Sequence, residues 1–188
     1  MKLIITLVYM FVCHPILFFR YSIRRRSKYF LVRGSSSKIH TKGLILKSKV
    51  RLGDDTRIDF YANGRLSIGE KCYFGNRDSF LVGADITIGN RVLMASDVMI
   101  ASENHIPKPE QDDIYGDLDM RPVVIGDGCW IAEKVCIMPG VQIGDYSVVG
   151  AASVVTKSIP SYSIAAGNPA KVIKKYNFYK HIWEKVTD

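Results

Sequence analysis

Residues 124–157 read VIGDGCWIAEKVCIMPGVQIGDYSVVGAASVVTK, and this stretch decides the fold. An aliphatic residue recurs at every sixth position, without a break, at Ile125, Ile131, Ile137, Ile143, Val149 and Val155. The residue after each of these is mostly small, and the residue four positions later is small or β-branched. The same phase recurs upstream, at Leu52, Ile58, Ile68, Phe74, Ile88, Met94 and Ile100. A period this regular indicates stacked structural repeats.

A unit of six residues is too short to contain a helix, but it fits one short strand followed by a tight turn. The aliphatic residue points inward, and the small residue lies where the backbone bends. Stacking successive units satisfies the backbone hydrogen bonds and buries one continuous apolar column. The sequence therefore predicts an all-β parallel β-helix of triangular cross-section. The insertions Ala62–Arg65 and Ile106–Pro122 are expected to loop out from its corners.

Composition restricts the class of protein. The chain has 188 residues, of which 47% are hydrophobic and 23% charged. These values fit one domain with a real core and exclude a disordered, collagen-like or polytopic membrane protein. The four cysteines are scattered, and Cys72 and Cys129 fall at inward positions of their repeats. We therefore expect structural, reduced cysteines rather than nucleophiles or a disulfide framework.

Charge is concentrated at the N-terminus. Residues 1–51 contain twelve Lys or Arg and no Asp or Glu, whereas the remainder has fourteen basic and eighteen acidic residues, a net of −4. Leu3–Phe19 is almost entirely apolar, and a basic cluster follows from Arg20 to Lys28. One interpretation is a helix that associates with an anionic membrane. The other is a helix packed on its own domain or on a neighbouring subunit. Nucleic-acid binding is disfavoured, because no recognition motif accompanies the charge.

Four sequence motifs resemble the hexapeptide-repeat acyltransferases, and most closely their maltose and galactoside O-acetyltransferase branch, with its capsule and O-antigen relatives. The motifs are VIGDGCWIA from Val124, PGVQIG from Pro139, VGAASVVTK from Val149 and AAGNPAKVI from Ala165. The resemblance covers roughly Leu52 to Tyr176. It implies a left-handed β-helix, a homotrimer with three active sites in the grooves between adjacent coils, and acetyl-CoA as co-substrate.

His105 is the candidate catalytic residue. The other histidines (His14, His40 and His181) fall outside the repeat region, whereas His105 directly precedes the Ile106–Pro122 loop. By resemblance it matches the family's catalytic histidine. Acetyl transfer to a hydroxyl needs a base that removes the hydroxyl proton, and an imidazole is suited to that near neutral pH.

Three further residues are candidates for binding the acceptor. Asn76 matches the family's acceptor-site asparagine, and the alternative is a plain turn residue. Asp78 occupies an inward position where small residues are the rule, so it needs a polar partner such as the acceptor or His105, unless the unit is distorted and Asp78 is exposed. Glu103, two residues before His105, is a candidate for orienting the imidazole.

The resemblance also implies a set of CoA-binding residues. Ala132 and Ala151 would line the pantetheine groove, and Trp130 would cover His105 or the donor site, with core packing as its alternative. Thr156 and Lys157 match positions near the nucleotide. Lys171 and Lys174 match basic positions that face its phosphates, as a multiply anionic cofactor requires.

The predicted organisation has three parts. Residues 1–43 form the apolar and basic segment, residues 44–160 the β-helix domain with its protruding loop 106–122, and residues 161–188 the CoA-side turn and a short helix. In this last part Phe178, Ile182, Trp183 and Val186 suggest an amphipathic helix that caps the coil.

The expected function is O-acetylation of a cell-envelope sugar by acetyl-CoA, without a metal, in the cytoplasm or on the inner face of the cytoplasmic membrane. One alternative is N-acetylation of a nucleotide-linked amino sugar, and another is a non-catalytic β-helix scaffold. A zinc carbonic anhydrase on the same coil is disfavoured, because it needs three imidazoles and the repeat region has one.

Overall fold

The structure, a computed structural model, describes residues 30–32, 38–39, 43–110 and 116–186. The described elements are short strands. The first eleven are β1 (Phe30–Val32), β2 (Lys38–Ile39), β3 (Leu44–Leu46), β4 (Val50–Leu52), β5 (Arg57–Phe60), β6 (Leu66–Ile68), β7 (Ser79–Val82), β8 (Ile86–Ile88), β9 (Leu93–Met94), β10 (Met99–Ala101) and β11 (Glu103–His105). The others are β12 (Leu118–Met120), β13 (Val123–Ile125), β14 (Trp130–Ile131), β15 (Cys136–Ile137), β16 (Gln142–Ile143), β17 (Val148–Val149), β18 (Val154–Val155), β19 (Ser163–Gly167), β20 (Ala170–Asn177) and β21 (Ile182–Lys185).

The strands form the three faces of a triangular prism, and almost all neighbours within a face are parallel. Face A contains β1, β4, β9, β14, β17, β19, β20 and β21, with Tyr73 bridging β4 and β9. Face B has the order β2, β5, β7, β10, β15 and β18, and face C has the order β3, β6, β8, β13 and β16. The chain passes from A to B to C and back to A, so each circuit is one coil. We call the edges AB, BC and CA after the faces that they connect.

The predicted hexapeptide phase is confirmed by burial. The six aliphatic positions from Ile125 to Val155 are all buried, as are the upstream positions in the same phase. Each face contributes one inward column, for example Ile58, Phe80, Ile100, Ile137 and Val155 on face B. The positions four residues later, such as Cys129 and Ser147, are buried as well. These columns meet in a single hydrophobic core along the prism axis.

Both predicted insertions leave the prism at edge BC. Residues 61–65 connect β5 on face B to β6 on face C, and residues 102–122 connect β10 to β13 across the same edge. Residues 83–85 form this edge in the coil between them. The remaining corners are tight turns whose non-glycine residues adopt positive φ, as at Lys71 and Arg91. Edge BC is therefore the edge that carries irregular, protruding backbone.

The predicted C-terminal helix is wrong. Residues 170–177 and 182–185 form the antiparallel strands β20 and β21, which extend face A beyond β19. Exposure alternates along β20 with a period of two, which is the strand period, and Val172 and Ala170 pack partly against the core. The exposed edge of β19 gains a hydrogen-bonded partner in this way, which a helix would not supply.

The N-terminal apolar segment predicted at residues 3–19 lies outside the described residues. Within the described part of the chain, no helix has the length and hydropathy needed to cross a membrane.

Candidate active site

His105 is exposed at the end of β11, on a hairpin that protrudes from edge BC. In this hairpin β11 pairs antiparallel with β12, so that His105 lies opposite Leu118 and Glu103 lies opposite Met120. The backbone N–H of His105 donates to Asn104 Oδ1 at 3.1 Å. The backbone of Ile106 bonds to Asp117, and Lys108 forms an ion pair with Asp117 further out. The imidazole therefore stands on ordered backbone while its ring remains open to a ligand.

Ser102 fixes this hairpin to the coil below. Its buried Oγ accepts hydrogen bonds from the backbone N–H groups of Gly83 and Ala84, both at 3.1 Å, and donates to the Ala84 carbonyl at 2.7 Å. A Cβ at Gly83 would lie 2.5 Å from Glu103 Cβ, so only glycine lets the hairpin pack this closely. Sequence reasoning missed Ser102, although its position three residues before His105, at the start of the departure from the coil, was the available signal.

Glu103 lies on the same side of β11 as His105, because alternate residues of a strand face the same way. Its side chain is half-buried over Gly83. The structure therefore brings together these two of the predicted site residues.

Asn76 lies at edge AB, at the opposite end of the face B strands from the hairpin. Its Oδ1 accepts from the backbone N–H of Asp54 at 2.9 Å, and its own N–H donates to Ser96 Oγ at 3.1 Å. These bonds tie three successive coils together at one corner. Within a single chain Asn76 thus acts as the turn residue that we gave as the alternative, and it does not contact His105.

Asp78 is fully buried at the inward corner position of its coil, between Thr56 and Val98 in the neighbouring coils. Its Oδ1 accepts from the Val98 backbone N–H at 2.9 Å, and its Oδ2 has no hydrogen-bond partner. Burial raises the pKa of this carboxyl to about 7, a change that the Val98 hydrogen bond partly opposes. The polar partner required by the sequence is therefore backbone, and the exposed Asp78 that we considered is not found. In the described chain the carboxyl faces the coil interior rather than an acceptor.

The predicted CoA residues occupy separate parts of one chain. Trp130 is half-exposed on the outer side of face A, between Leu93 and Val148, so within one protomer it does not cover His105. Ala132 and Ala151 lie in adjacent coils at edge AB. Thr156 and Lys157 lie exposed at edge BC, the edge of the hairpin, and Lys171 and Lys174 lie on β20. Within one protomer the predicted CoA residues are therefore divided between edge AB, edge BC and face A.

A cavity of about 660 Å³ opens on edge BC, in the coils below the hairpin. Its wall combines aromatic, charged and amide side chains, namely Arg57, Asp59, Phe60, Tyr61, Asn63 and Arg65. Arg57 is paired with Asp59, and Arg65 forms a two-point ion pair with Asp85. Asp59 pairs in register with Leu81 and Leu81 with Ala101, so the cavity lies two coils, roughly 10 Å, from the start of the hairpin. The insertion at Ala62–Arg65 was the sequence signal for it, but we assigned it no role.

Two of the described cysteines are packing residues. Cys72 and Cys129 are buried, and the Cys129 thiol donates to the Gly144 carbonyl at 3.2 Å. Burial raises the pKa of Cys129 to about 11, which suits a packing residue rather than a nucleophile. In residues 43–110 and 116–186, no group of three or more His, Cys, Asp or Glu side chains is placed to hold a metal ion.

Comparison with known proteins gives this arrangement its context. Residues 122–157 match the family described as bacterial transferase hexapeptide (six repeats). Over 141 residues the chain is 36% identical to the putative lipopolysaccharide biosynthesis O-acetyl transferase WbbJ of Escherichia coli, covering 71% of this chain and 72% of that protein. The chain belongs to the hexapeptide transferase family. The predicted family and the predicted enzyme class, an acetyltransferase, are thereby confirmed.

Solved structures of the family share the coil. A maltose O-acetyltransferase from Clostridium difficile 630 superposes with a TM-score of 0.61 at 38% identity, covering 71% of this chain and 69% of that chain. A hexapeptide-repeat acetyltransferase from Vibrio cholerae, solved in complex with acetyl coenzyme A, gives a TM-score of 0.55 at 26% identity, covering 78% of this chain and 71% of that chain. These neighbours confirm the predicted left-handed parallel β-helix and agree with acetyl-CoA as the family's co-substrate.

Proposed function

We propose that this chain is an O-acetyltransferase that moves an acetyl group from acetyl-CoA to a hydroxyl of a cell-envelope sugar, with His105 as general base. The imidazole takes the hydroxyl proton while the alcohol oxygen attacks the thioester carbonyl. The C–S bond then breaks, and the imidazolium returns the proton to the departing thiolate. The products are an acetyl ester and free CoA, so every proton and bond is accounted for without a metal.

The observation that carries this proposal is the exposed His105 on the anchored hairpin of edge BC. A base must reach the proton that it abstracts, and an open ring on rigid backbone meets that requirement. The relative WbbJ, named for lipopolysaccharide biosynthesis, supports a cell-envelope sugar as the acceptor class.

The cavity below the hairpin supports a polyhydroxylated acceptor. Pockets that bind small molecules combine apolar or aromatic walls with a few placed polar groups. Here Tyr61 and Phe60 supply aromatic surface, Asp59 supplies a hydrogen-bond acceptor, and the arginines and the Asn63 amide supply donors. We propose that one sugar unit of an oligosaccharide acceptor rests in this cavity while the hydroxyl to be acetylated, on another unit of the same chain, lies at His105.

We further propose a homotrimer in which face A of one protomer packs on face B of the next. The outer side of face A presents a continuous column, Tyr73, Leu93, Trp130, Val148 and Ile164. The outer side of face B presents Leu81, Met99, Cys136 and Val154, whereas face C includes the polar Ser67, Thr87 and Gln142. Two different apolar faces on one protomer suit a heterologous contact that closes into a ring. Such a contact would bring Trp130 and the Ala132 corner of one protomer toward the His105 edge of its neighbour.

The cellular location also remains a proposal. We propose a cytoplasmic protein whose N-terminal segment contacts the inner face of the cytoplasmic membrane. This is supported by the apolar run Leu3–Phe19 and the basic cluster after it.

The decisive experiment measures release of free CoA from acetyl-CoA in the presence and absence of candidate acceptors. We expect release that depends on a sugar with a free hydroxyl, and we expect His105→Ala to reduce kcat by roughly 10²–10⁴-fold, the usual contribution of a general base. The matched control is His181→Asn, which changes an exposed histidine far from edge BC and keeps a residue that tolerates positive φ.

Full activity in His105→Ala would remove the mechanism. Transfer to amino sugars in preference to alcohols would favour an N-acetyltransferase. Failure to bind acetyl-CoA in calorimetry would leave a scaffold without catalysis.

A further inference from the structure

The C-terminal hairpin exposes an unusual amount of apolar surface. Tyr179 is 93% exposed, Phe178 59% and Ile182 49%, and all three lie in or beside the connection between β20 and β21. Ile173 and Val186 are also exposed on the same hairpin. We call residues 170–186 the C-terminal hairpin surface. By the strand register Ile173, Ile182 and Val186 lie on one side of this hairpin and Tyr176 and Trp183 on the other, and Phe178 and Tyr179 form its tip. Exposed apolar groups gathered around a hairpin tip mark an interaction site more often than a free surface.

The same surface is strongly basic, in contrast to the coil. Residues 170–186 contain five lysines and one glutamate, a net of +4. Residues 52–169 contain nine basic and sixteen acidic residues, a net of −7. The hairpin is therefore a basic element at the end of a negatively charged coil, and residues 1–51, with twelve basic and no acidic residues, form a second basic segment.

The aromatic rings are held in place before any partner arrives. Tyr162 stacks on Tyr146 with 5.5 Å between ring centroids, and Phe178 packs edge-on against Tyr162 at 4.7 Å. Tyr176 continues the cluster at 5.1 Å from Phe178 and 5.2 Å from Trp183.

The connection between the two strands is ordered as well. Asn177 Oδ1 accepts from the backbone N–H groups of Tyr179 and Lys180, at 2.9 and 3.0 Å. Lys180 is paired with Glu184 at 2.8 Å. Binding through this surface would cost little conformational entropy, because its backbone turn is already formed.

We propose that the C-terminal hairpin surface docks on an anionic phospholipid bilayer. Tyr, Trp and Phe side chains favour the boundary between lipid headgroups and acyl chains, where an apolar ring and a polar group are both satisfied. Lys180 at the tip and Lys185 on β21, neither of which is a predicted CoA-binding residue, meet the anionic headgroups, and each contributes near such a surface. The acidic coil is repelled by the same headgroups, so the coil itself is not part of the contact.

The proposal does not depend on acetyl transfer or on the N-terminal segment. Strand β1 lies at the opposite edge of face A from β21, eight strand spacings or roughly 38 Å away. The hairpin is therefore a contact point separate from the place where the N-terminal segment enters the fold.

A lipid surface fits better than a nucleic acid or a second protein copy. Single-stranded nucleic acid stacks its bases on free aromatic faces, but Tyr146, Tyr162, Phe178 and Tyr176 already pack against one another. Burial of the aliphatic side chains Ile173, Ile182 and Val186 among acyl chains is favourable, whereas nucleic-acid bases do not offer them such burial. An isologous contact with a second copy would place two surfaces of +4 against each other, which like-charge repulsion opposes.

The test is flotation of the full chain with vesicles of phosphatidylcholine alone or mixed with phosphatidylglycerol. We expect binding to the anionic vesicles, and we expect the double variant Phe178→Ser with Tyr179→Ser to weaken it at least roughly tenfold. The variant Lys180→Gln with Lys185→Gln should weaken it by a similar factor, because each lysine near an anionic surface contributes about fivefold. The matched control is Ile45→Ser with Lys134→Gln, which changes one exposed aliphatic and one exposed lysine elsewhere.

A local readout separates the hairpin from the N-terminal segment. The tryptophan introduced by Tyr179→Trp should be quenched by brominated lipid in anionic vesicles, adding to any quenching seen in the unmodified protein. Unchanged vesicle binding in both double variants, together with no added quenching, would overturn the proposal. It would also fail if the same substitutions instead abolished binding to single-stranded nucleic acid or self-association, while vesicle binding stayed the same.

Discussion

Asp78 and Val98 occupy the same inward corner position in successive coils, and Asp78 Oδ1 accepts the Val98 backbone N–H at 2.9 Å. At the equivalent position of other coils, the hydroxyls of Thr56 and Ser153 donate to the carbonyl three residues earlier. The unpartnered Asp78 Oδ2 can make the same kind of bond only when it carries a proton. Asp78 thus takes the place of a hydroxyl donor inside a stack of apolar residues.

Replacing this carboxyl with an amide should stabilise the protein above neutral pH. The pKa of Asp78 is raised to about 7 in the fold, against about 3.9 in an unfolded chain, so the folded state binds the extra proton between these values. The contribution of this proton to the free energy of unfolding is on the order of 4 kcal/mol. It is complete below pH ~4 and is lost as the pH rises through ~7. Asp78→Asn keeps the acceptor and adds a permanent donor.

We expect the free energy of unfolding of Asp78→Asn, measured by denaturant titration, to exceed that of the unmodified protein at pH 8 and to approach it at pH 5. Because both proteins share every other titrating group, their difference isolates Asp78. A difference that does not change with pH would contradict the assignment.

Ser102→Ala should loosen the hairpin that carries His105. The substitution leaves the buried N–H groups of Gly83 and Ala84 without their acceptor, at a cost of about 2 kcal/mol of unfolding free energy. Ser102 lies between β10 and β11, the strand that carries His105. We therefore expect kcat to fall by more than the loss of unfolding free energy alone would cause. Hydrogen exchange of residues 103–106 measures the loosening, and Ser96→Ala, which removes one side-chain hydrogen bond at edge AB, is the matched comparison. Equal exchange in both variants would argue against this role for Ser102.

Leu93→Asp should disrupt the proposed trimer. Leu93 is exposed on face A between Tyr73 and Trp130, where a carboxylate would be buried by the neighbouring protomer without a partner. Sedimentation should show the mass of three chains for the unmodified protein and a smaller species for the variant, with acetyl transfer lost in parallel. Ile45→Asp, at a similarly exposed site on face C, should leave the mass unchanged. A monomeric unmodified protein with full activity would refute the shared site.

Tyr61→Ala should weaken binding of the acceptor but not of acetyl-CoA. Tyr61 lines the cavity on edge BC, two coils from the hairpin, so its loss should raise KM for the acceptor by roughly tenfold and leave KM for acetyl-CoA unchanged. Thr87→Ala, on exposed face C, is the control. A rise in KM for acetyl-CoA would instead assign the cavity to the donor.

Several features of the site followed from sequence, and others did not. The hexapeptide phase predicted which aliphatic residues are buried, because a strand alternates its side chains between interior and exterior. The sequence placed His105 directly before the protruding insertion, and the structure shows it exposed there on a hairpin. The predicted C-terminal helix was wrong. The apolar spacing of so short a stretch fits both the helix period and the strand period, and the unpaired edge of β19 favoured a strand. The hydrogen-bond partner of Asp78 could not be predicted from sequence either, because it depends on which residue of the next coil lies beside Asp78.

The sequence by itself determined the repeat, the inward columns and the residue types available for acetyl transfer, because each of these depends on local periodicity or on side-chain chemistry. Only the tertiary structure decided that both insertions leave from edge BC, that Asn76 and Trp130 lie on parts of the prism away from His105, and that the C-terminal aromatic residues gather on a basic hairpin. The reason is that these relationships join residues from different coils, and their proximity is fixed by the stacking register rather than by separation along the chain.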